Sequence, residues 1–148
     1  MKTVTLPNEK LLAEVAMLLS EGRSITLRAK GNSMLPFIVG ERDSVVLQKN
    51  GRVHPGDIVL AEITPRQFVL HRVIRVKYGH IILMGDGNLS GTEECREKNV
   101  HGRVVAVIRN GRYIACDENS EQVKVLIWHL LLPVRRILLA IYRRIILN

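Results

Sequence analysis

From Ser24 to Cys116 the chain is a succession of short strand-forming runs cut by turn residues, and this texture limits the fold more than any other feature. Ile25–Arg28, Ser44–Gln48, Asp57–Glu62, Phe68–Val76, His80–Met84, Arg103–Ile108 and Tyr113–Cys116 are rich in aliphatic residues and are separated by glycines or by Asn-Gly and Pro-Gly pairs. The pattern predicts a compact, mostly antiparallel β domain. Asn110-Gly111, between two such runs, is the strongest hairpin signal, because both residues tolerate the positive φ of a type I′ turn.

Helical segments flank this region. Leu11, Leu12, Val15, Ala16, Leu18 and Leu19 recur at helical spacing between Pro7 and Ser20, and Gly22 can end the helix. After the last strand, Pro133 should end or kink a second helical stretch. Beyond it, Arg135, Arg136, Arg143 and Arg144 are expected on one side of a helix and Ile137, Leu138, Ile141 and Ile145 on the other. The expected organisation is mainly β with terminal helices: residues 1–22 a helix, 23–117 the β domain and 118–148 a basic amphipathic tail. Three uses of the tail stay open: lying on an anionic membrane surface through residues 123–147, capping the β core, or forming a dimer.

A chain of 148 residues fits one domain with a single core. Hydrophobic residues at 47% exclude a disordered chain, and 4% aromatic residues argue against base-stacking nucleic-acid modules. The net charge of +8 suits an anionic partner. Two cysteines, Cys95 and Cys116, make neither a disulfide framework nor a zinc site. The polar start MKTVTLPNEK lacks the apolar run of a signal peptide. The expected location is therefore the cytoplasm, with the tail able to hold the protein at the inner face of the membrane.

The densest chemical constellation begins at Gly31-Asn32-Ser33-Met34-Leu35-Pro36, directly after a strand. His71 follows on the strand-like run Val69-Leu70-His71-Arg72-Val73, on the same face as two valines, and Gly85-Asp86-Gly87-Asn88 comes next. A hydroxyl, a strand-borne base and a later acid are the three parts of an activated serine nucleophile. A turn serine or a strand histidine is ordinarily structural, so the ordered set carries the inference. No phosphate-binding glycine loop or dinucleotide fingerprint is present, and no metal or cofactor is expected.

The ordered boxes resemble those of signal peptidases and of the self-cleaving domains of LexA-type repressors. They are Gly31-Asn32-Ser33-Met34-Leu35-Pro36, Gly40-Glu41-Arg42-Asp43, Pro55-Gly56-Asp57, His71-Arg72-Val73, Gly85-Asp86-Gly87-Asn88 and Gly102-Arg103-Val104-Val105. The likeness covers about residues 24–108. His71, where another branch would have lysine, is similar to the serine-histidine branch of archaeal and endoplasmic-reticulum signal peptidases. The resemblance implies a β fold of the LexA and signal peptidase type and peptide-bond cleavage through an acyl-enzyme. It makes Ser33 the nucleophile and His71 the base, with Met34 forming the wall beside the serine. Asp86 is the first choice for the orienting acid, ahead of Glu93 or Glu94, with a dyad lacking any such acid third. Some relatives place a serine hydroxyl where this chain has Gly31, so backbone N–H groups of the Asn32-Ser33-Met34 turn are expected to hold the oxyanion.

Two functions compete. One is a serine endopeptidase acting on an extended peptide or protein segment. The other is a catalytically inactive module of the same fold that binds a peptide or a membrane surface. A DNA-reading regulator is disfavoured, because about twenty residues before the β region leave no room for a DNA-binding domain, and no nucleic-acid partner is expected.

Overall fold

The computed structural model describes residues 3–5, 9–49, 51–88, 91–116 and 119–147. In chain order the elements are β1 (Thr3–Thr5), α1 (Glu9–Ser20), β2 (Ile25–Arg28), β3 (Asp43–Gln48), β4 (Ile58–Thr64), β5 (Gln67–Lys77), β6 (His80–Met84), β7 (Glu93–Arg96), β8 (Val100–Arg109), β9 (Arg112–Ala115), α2 (Asn119–Leu130) and α3 (Arg135–Ile146). The expected helix start at Pro7 and the expected boundary at residues 117 and 118 lie outside the described residues.

The nine described strands form one sheet in the order β1-β2-β3-β8-β4-β5-β6-β7, with β9 also on β8. Every pairing is antiparallel except the short parallel contact of β1 with β2. The mainly β, antiparallel expectation therefore holds. The β8–β9 hairpin turns at Asn110 and Gly111 with φ of 52° and 78°, as the sequence predicts.

Strand β4 lies near the middle of the sheet and is apolar on both faces. Ile58 and Leu60 join a core with Val15 and Leu19 of α1, whereas Val59 joins a second core with Val73, Ile81 and Leu83. Successive side chains point to opposite faces, so a strand covered on both sides reads as a continuous apolar run. A third cluster of Leu35, Val39, Trp128 and Leu139 joins the segment after Ser33 to the C-terminal helices. As Pro133 requires, α2 ends at Leu130, a 3-10 turn spans Leu132–Val134, and α3 starts at Arg135.

The helical wheel needs one correction. Arg135 does not face solvent with the other arginines. It is 1% exposed, stacks over Trp128 at 4.9 Å and donates to the carbonyls of Asn88 and Trp128. Burial pulls its pKa down, against the pull of Asp86, because removing a guanidinium from water disfavours its charged form. Leu139, one turn on, is buried beside it, whereas Ile137, Ile141 and Ile145 are exposed. The isoleucine stripe therefore does not pack on the core; the flank carrying Arg135 and Leu139 does.

Candidate active site

Ser33 lies on an exposed turn between β2 and β3. Two networks fix that turn from behind. In the first, fully buried Asp43 accepts from the Val39 amide at 2.8 Å and from Arg42 at 2.8 Å, while Arg109 bridges to Asp43 and to the Phe37 carbonyl. Burial would raise the Asp43 pKa, but the donations from Arg42, the Val39 amide and Arg109 outweigh it and hold the carboxyl below its ordinary value. This is the structural work of the Gly40-Glu41-Arg42-Asp43 box.

The second network is the Gly85-Asp86-Gly87 turn, which packs backbone against backbone on the serine segment. Gly87 donates its N–H to the Ser33 carbonyl at 2.8 Å, and the Asp86 N–H contacts Met34 Sδ at 3.4 Å. A Cβ at Gly85 would fall 2.3 Å from the Ser33 carbonyl oxygen, and one at Gly87 would fall 2.5 Å from that of Asn32. Only glycine allows so close an approach at both positions.

Asp86, the acid first expected to orient His71, pairs with Arg72 instead. Both Asp86 oxygens accept from Arg72, Oδ1 from Nε at 2.8 Å and Oδ2 from Nη2 at 2.6 Å, in a bidentate pair that is buried on both sides. Arg72 also donates to the Gly56 carbonyl at 2.8 Å, which ties the Pro55-Gly56-Asp57 turn to the same pair. The Asp86 carbonyl accepts from Trp128 Nε1 at 2.9 Å. Asp86 thus joins β5, the serine turn and α2.

Glu93 is the carboxylate on the imidazole: its Oε1 contacts His71 Nδ1. The sheet explains the choice. Val73 pairs with Leu83, and Leu83 pairs with Glu93, so the three share a face, and His71 shares it two residues before Val73. Arg72 and Glu94 point the other way along their strands. Glu94 pairs with His80, its Oε1 lying 2.8 Å from Nδ1 on the sheet rim.

Ser33 and His71 line one cavity of about 200 Å³, together with Met34, Lys30, Leu12, Phe68 and Leu70 among others. No hydrogen bond joins Ser33 to His71 among the described residues. In a substrate-free enzyme this contact is often long and tightens only in the complex. With Nδ1 engaged by Glu93, His71 presents Nε2 as its remaining nitrogen. In the serine turn the amides of Leu35, Phe37 and Ile38 bond inward, whereas those of Ser33 and Met34 carry no partner among the described residues. Asn32 and Ser33 are exposed, and Met34 is buried with its sulfur turned toward Asp86.

Along Phe68–Leu70, β5 pairs with β4 on one side, while its pairing with β6 begins only at Arg72. The segment beside His71 therefore has an unpaired edge among the described strands. A second cavity, of about 400 Å³, is lined by Arg72, Arg103, Arg109 and Cys116 and includes neither Ser33 nor His71. Cys95 is buried, and burial, together with the neighbouring Glu94, raises its thiol pKa, which opposes thiolate chemistry there.

A family model described as Peptidase S24-like matches residues 3–109. LexA repressor 1 from Nocardia farcinica (strain IFM 10152) is 30% identical over 106 residues, a span covering 72% of this chain and 44% of that relative. The chain thus spans less than half the length of the curated relative it matches. The match covers strands β1 to β8, the serine turn, His71 and Glu93, and the chain belongs to the peptidase S24-like family.

Proposed function

We propose that this protein is a serine endopeptidase in which Ser33 is the nucleophile, His71 the general base and Glu93 the acid that orients it. The observation that carries the reading is the Glu93 carboxylate on His71 Nδ1, with the imidazole and Ser33 lining one cavity. The proton on Nδ1 is held by the carboxylate, so Nε2 is free to take the Ser33 proton as Oγ attacks the peptide carbonyl carbon. The oxyanion that forms meets the open amides of Ser33 and Met34. Collapse breaks the C–N bond, and the imidazolium returns its proton to the departing amine. Water, deprotonated by the same Nε2, then attacks the acyl-serine and releases the acid product.

The open β5 edge at Phe68–Leu70 gives an extended substrate a row of backbone groups to pair with, leading to His71. The cavity there is small and sets Leu12, Met34, Ile38 and Leu60 beside Lys30, Ser33 and His71, and its size favours a short side chain next to the cleaved bond. These features support a processing peptidase resembling the serine-histidine signal peptidases. The Glu93 contact with His71 supports the peptidase reading over an inactive module of the same fold.

Incubating the protein with a peptide library and sequencing the products tests the proposal. Cleavage at defined bonds with small residues beside them is expected, and Ser33→Ala should abolish it. A library left uncut by the wild type, or cut equally by Ser33→Ala, would overturn it.

A further inference from the structure

We propose that the C-terminal helices α2 and α3 are a docking surface for an anionic lipid bilayer, on which they lie rather than insert. The inference is independent of the peptidase reading. On α3, Arg135, Leu138, Leu139 and Tyr142 form the flank that packs against the body of the protein. A second flank, about 110° round the helix, carries Ile137, Ile141 and Ile145, which are 62%, 53% and 71% exposed and recur every four residues as a single stripe. Leu126, Ile127 and Leu130 of α2 are exposed as well. Scattered exposed aliphatics are ordinary, but a helix-long stripe marks an interaction surface.

Charge selects the occupant. From Gln122 to Asn148 the basic residues are Lys124, Arg135, Arg136, Arg143 and Arg144, and the segment has no Asp or Glu. Of these, Arg136, Arg143 and Arg144 are exposed on α3. At about 100° per residue, Arg144 falls about 20° outside Ile137 at the edge of the isoleucine stripe, whereas Arg136 and Arg143 lie about 100° and 120° beyond Ile137, on a flank from which long side chains can reach back toward headgroups. A second copy would set this basic face against itself, whereas a layer of anionic headgroups over acyl chains matches both the arginines and the isoleucines. No helix among the described residues is long and apolar enough to cross a membrane, so the fitting geometry is interfacial.

Co-sedimentation of the full chain with vesicles tests this, using phosphatidylcholine alone and phosphatidylcholine mixed with phosphatidylglycerol. Binding is expected to the mixed vesicles only, and to weaken with salt as the Debye length falls from about 10 Å at 0.1 M to about 3 Å at 1 M. Arg143→Gln with Arg144→Gln should weaken binding about thirtyfold, each arginine being worth about fivefold near an anionic leaflet. Ile137→Ser with Ile141→Ser and Ile145→Ser should abolish it without lowering the melting temperature, because these side chains are exposed. If the serine variant misfolds, the arginine variant and the wild-type salt series still decide. Absence of binding, equal binding to neutral vesicles, or a dimer that dissociates when the isoleucines are replaced would overturn the proposal, the last in favour of a second copy.

Discussion

Glu93 reaches His71 across an intervening strand: its carboxylate contacts Nδ1 from β7, while His71 lies on β5 and β6 runs between them. A carboxylate so placed fixes the imidazole tautomer and stabilises the imidazolium that forms during attack. Glu93→Gln is therefore expected to lower kcat by up to about 10⁴, the loss seen when a triad acid becomes an amide. Glu94→Gln, which alters only the rim contact with His80, should stay close to wild type. Steady-state cleavage by the two variants checks the pair. A severe loss for Glu94→Gln with a mild one for Glu93→Gln would contradict the assignment.

Asp86 should act on stability. Its pair with Arg72 is buried, and removing one partner of such a pair costs about 3–5 kcal/mol because the other charge is stranded. Asp86→Ala is expected to melt well below the wild type and to loosen the serine turn packed on it. Glu93→Gln, at a partly exposed carboxylate, should barely move the melting temperature. Thermal unfolding of the two variants separates the roles.

Asp43 sets the response to acid. Its folded carboxyl is held below the ordinary value of 3.8, so the unfolded chain takes up a proton at a higher pH than the folded one. The stability it contributes is full at neutral pH and is lost as the pH falls below the ordinary value and through the folded one. Asp43→Asn should be less stable at pH 7 and should lose less further stability between about pH 5 and pH 2. Urea unfolding across that range checks the sign.

Lys30 is the other basic side chain lining the cavity with Ser33. Since His71 carries the orienting carboxylate, His71→Ala should abolish cleavage and Lys30→Ala should leave most of it. The reverse pattern would make lysine the base.

Much of this site is legible from the order of the boxes along the chain. Seven of the nine described strands fall at or within a few residues of the expected runs, because aliphatic stretches between turn residues have few alternatives to a sheet. Strand β7 escaped because Glu93-Glu94-Cys95-Arg96 has one apolar side chain; it forms as the outer strand on β6, where Cys95 pairs with Ile81 and is buried. Without β7, nothing aims Glu93, and the nearer Asp86 looks the better acid. Strand parity held a warning: His71 and Arg72 are neighbours on one strand and face opposite ways, so an acid can serve one or the other. The tail shows a different limit. Helical periodicity separates arginines from isoleucines but does not say which flank packs inward, and Trp128 settles that by offering its ring to Arg135 and its N–H to Asp86.

The most direct test of the central claim is whether Ser33, His71 and Glu93 act as one unit on a peptide taken from the cleaved library. Residues of such a unit are strongly non-additive: once the nucleophile is gone, the others have nothing to activate. Cleavage rates are to be measured for Ser33→Ala, His71→Ala, Glu93→Gln and the triple variant. The expected result is a triple variant no slower than Ser33→Ala alone, with His71→Ala nearly as slow and Glu93→Gln less so. Losses that multiply from one replacement to the next, or a Ser33→Ala variant that still cuts at the wild-type rate, would contradict it.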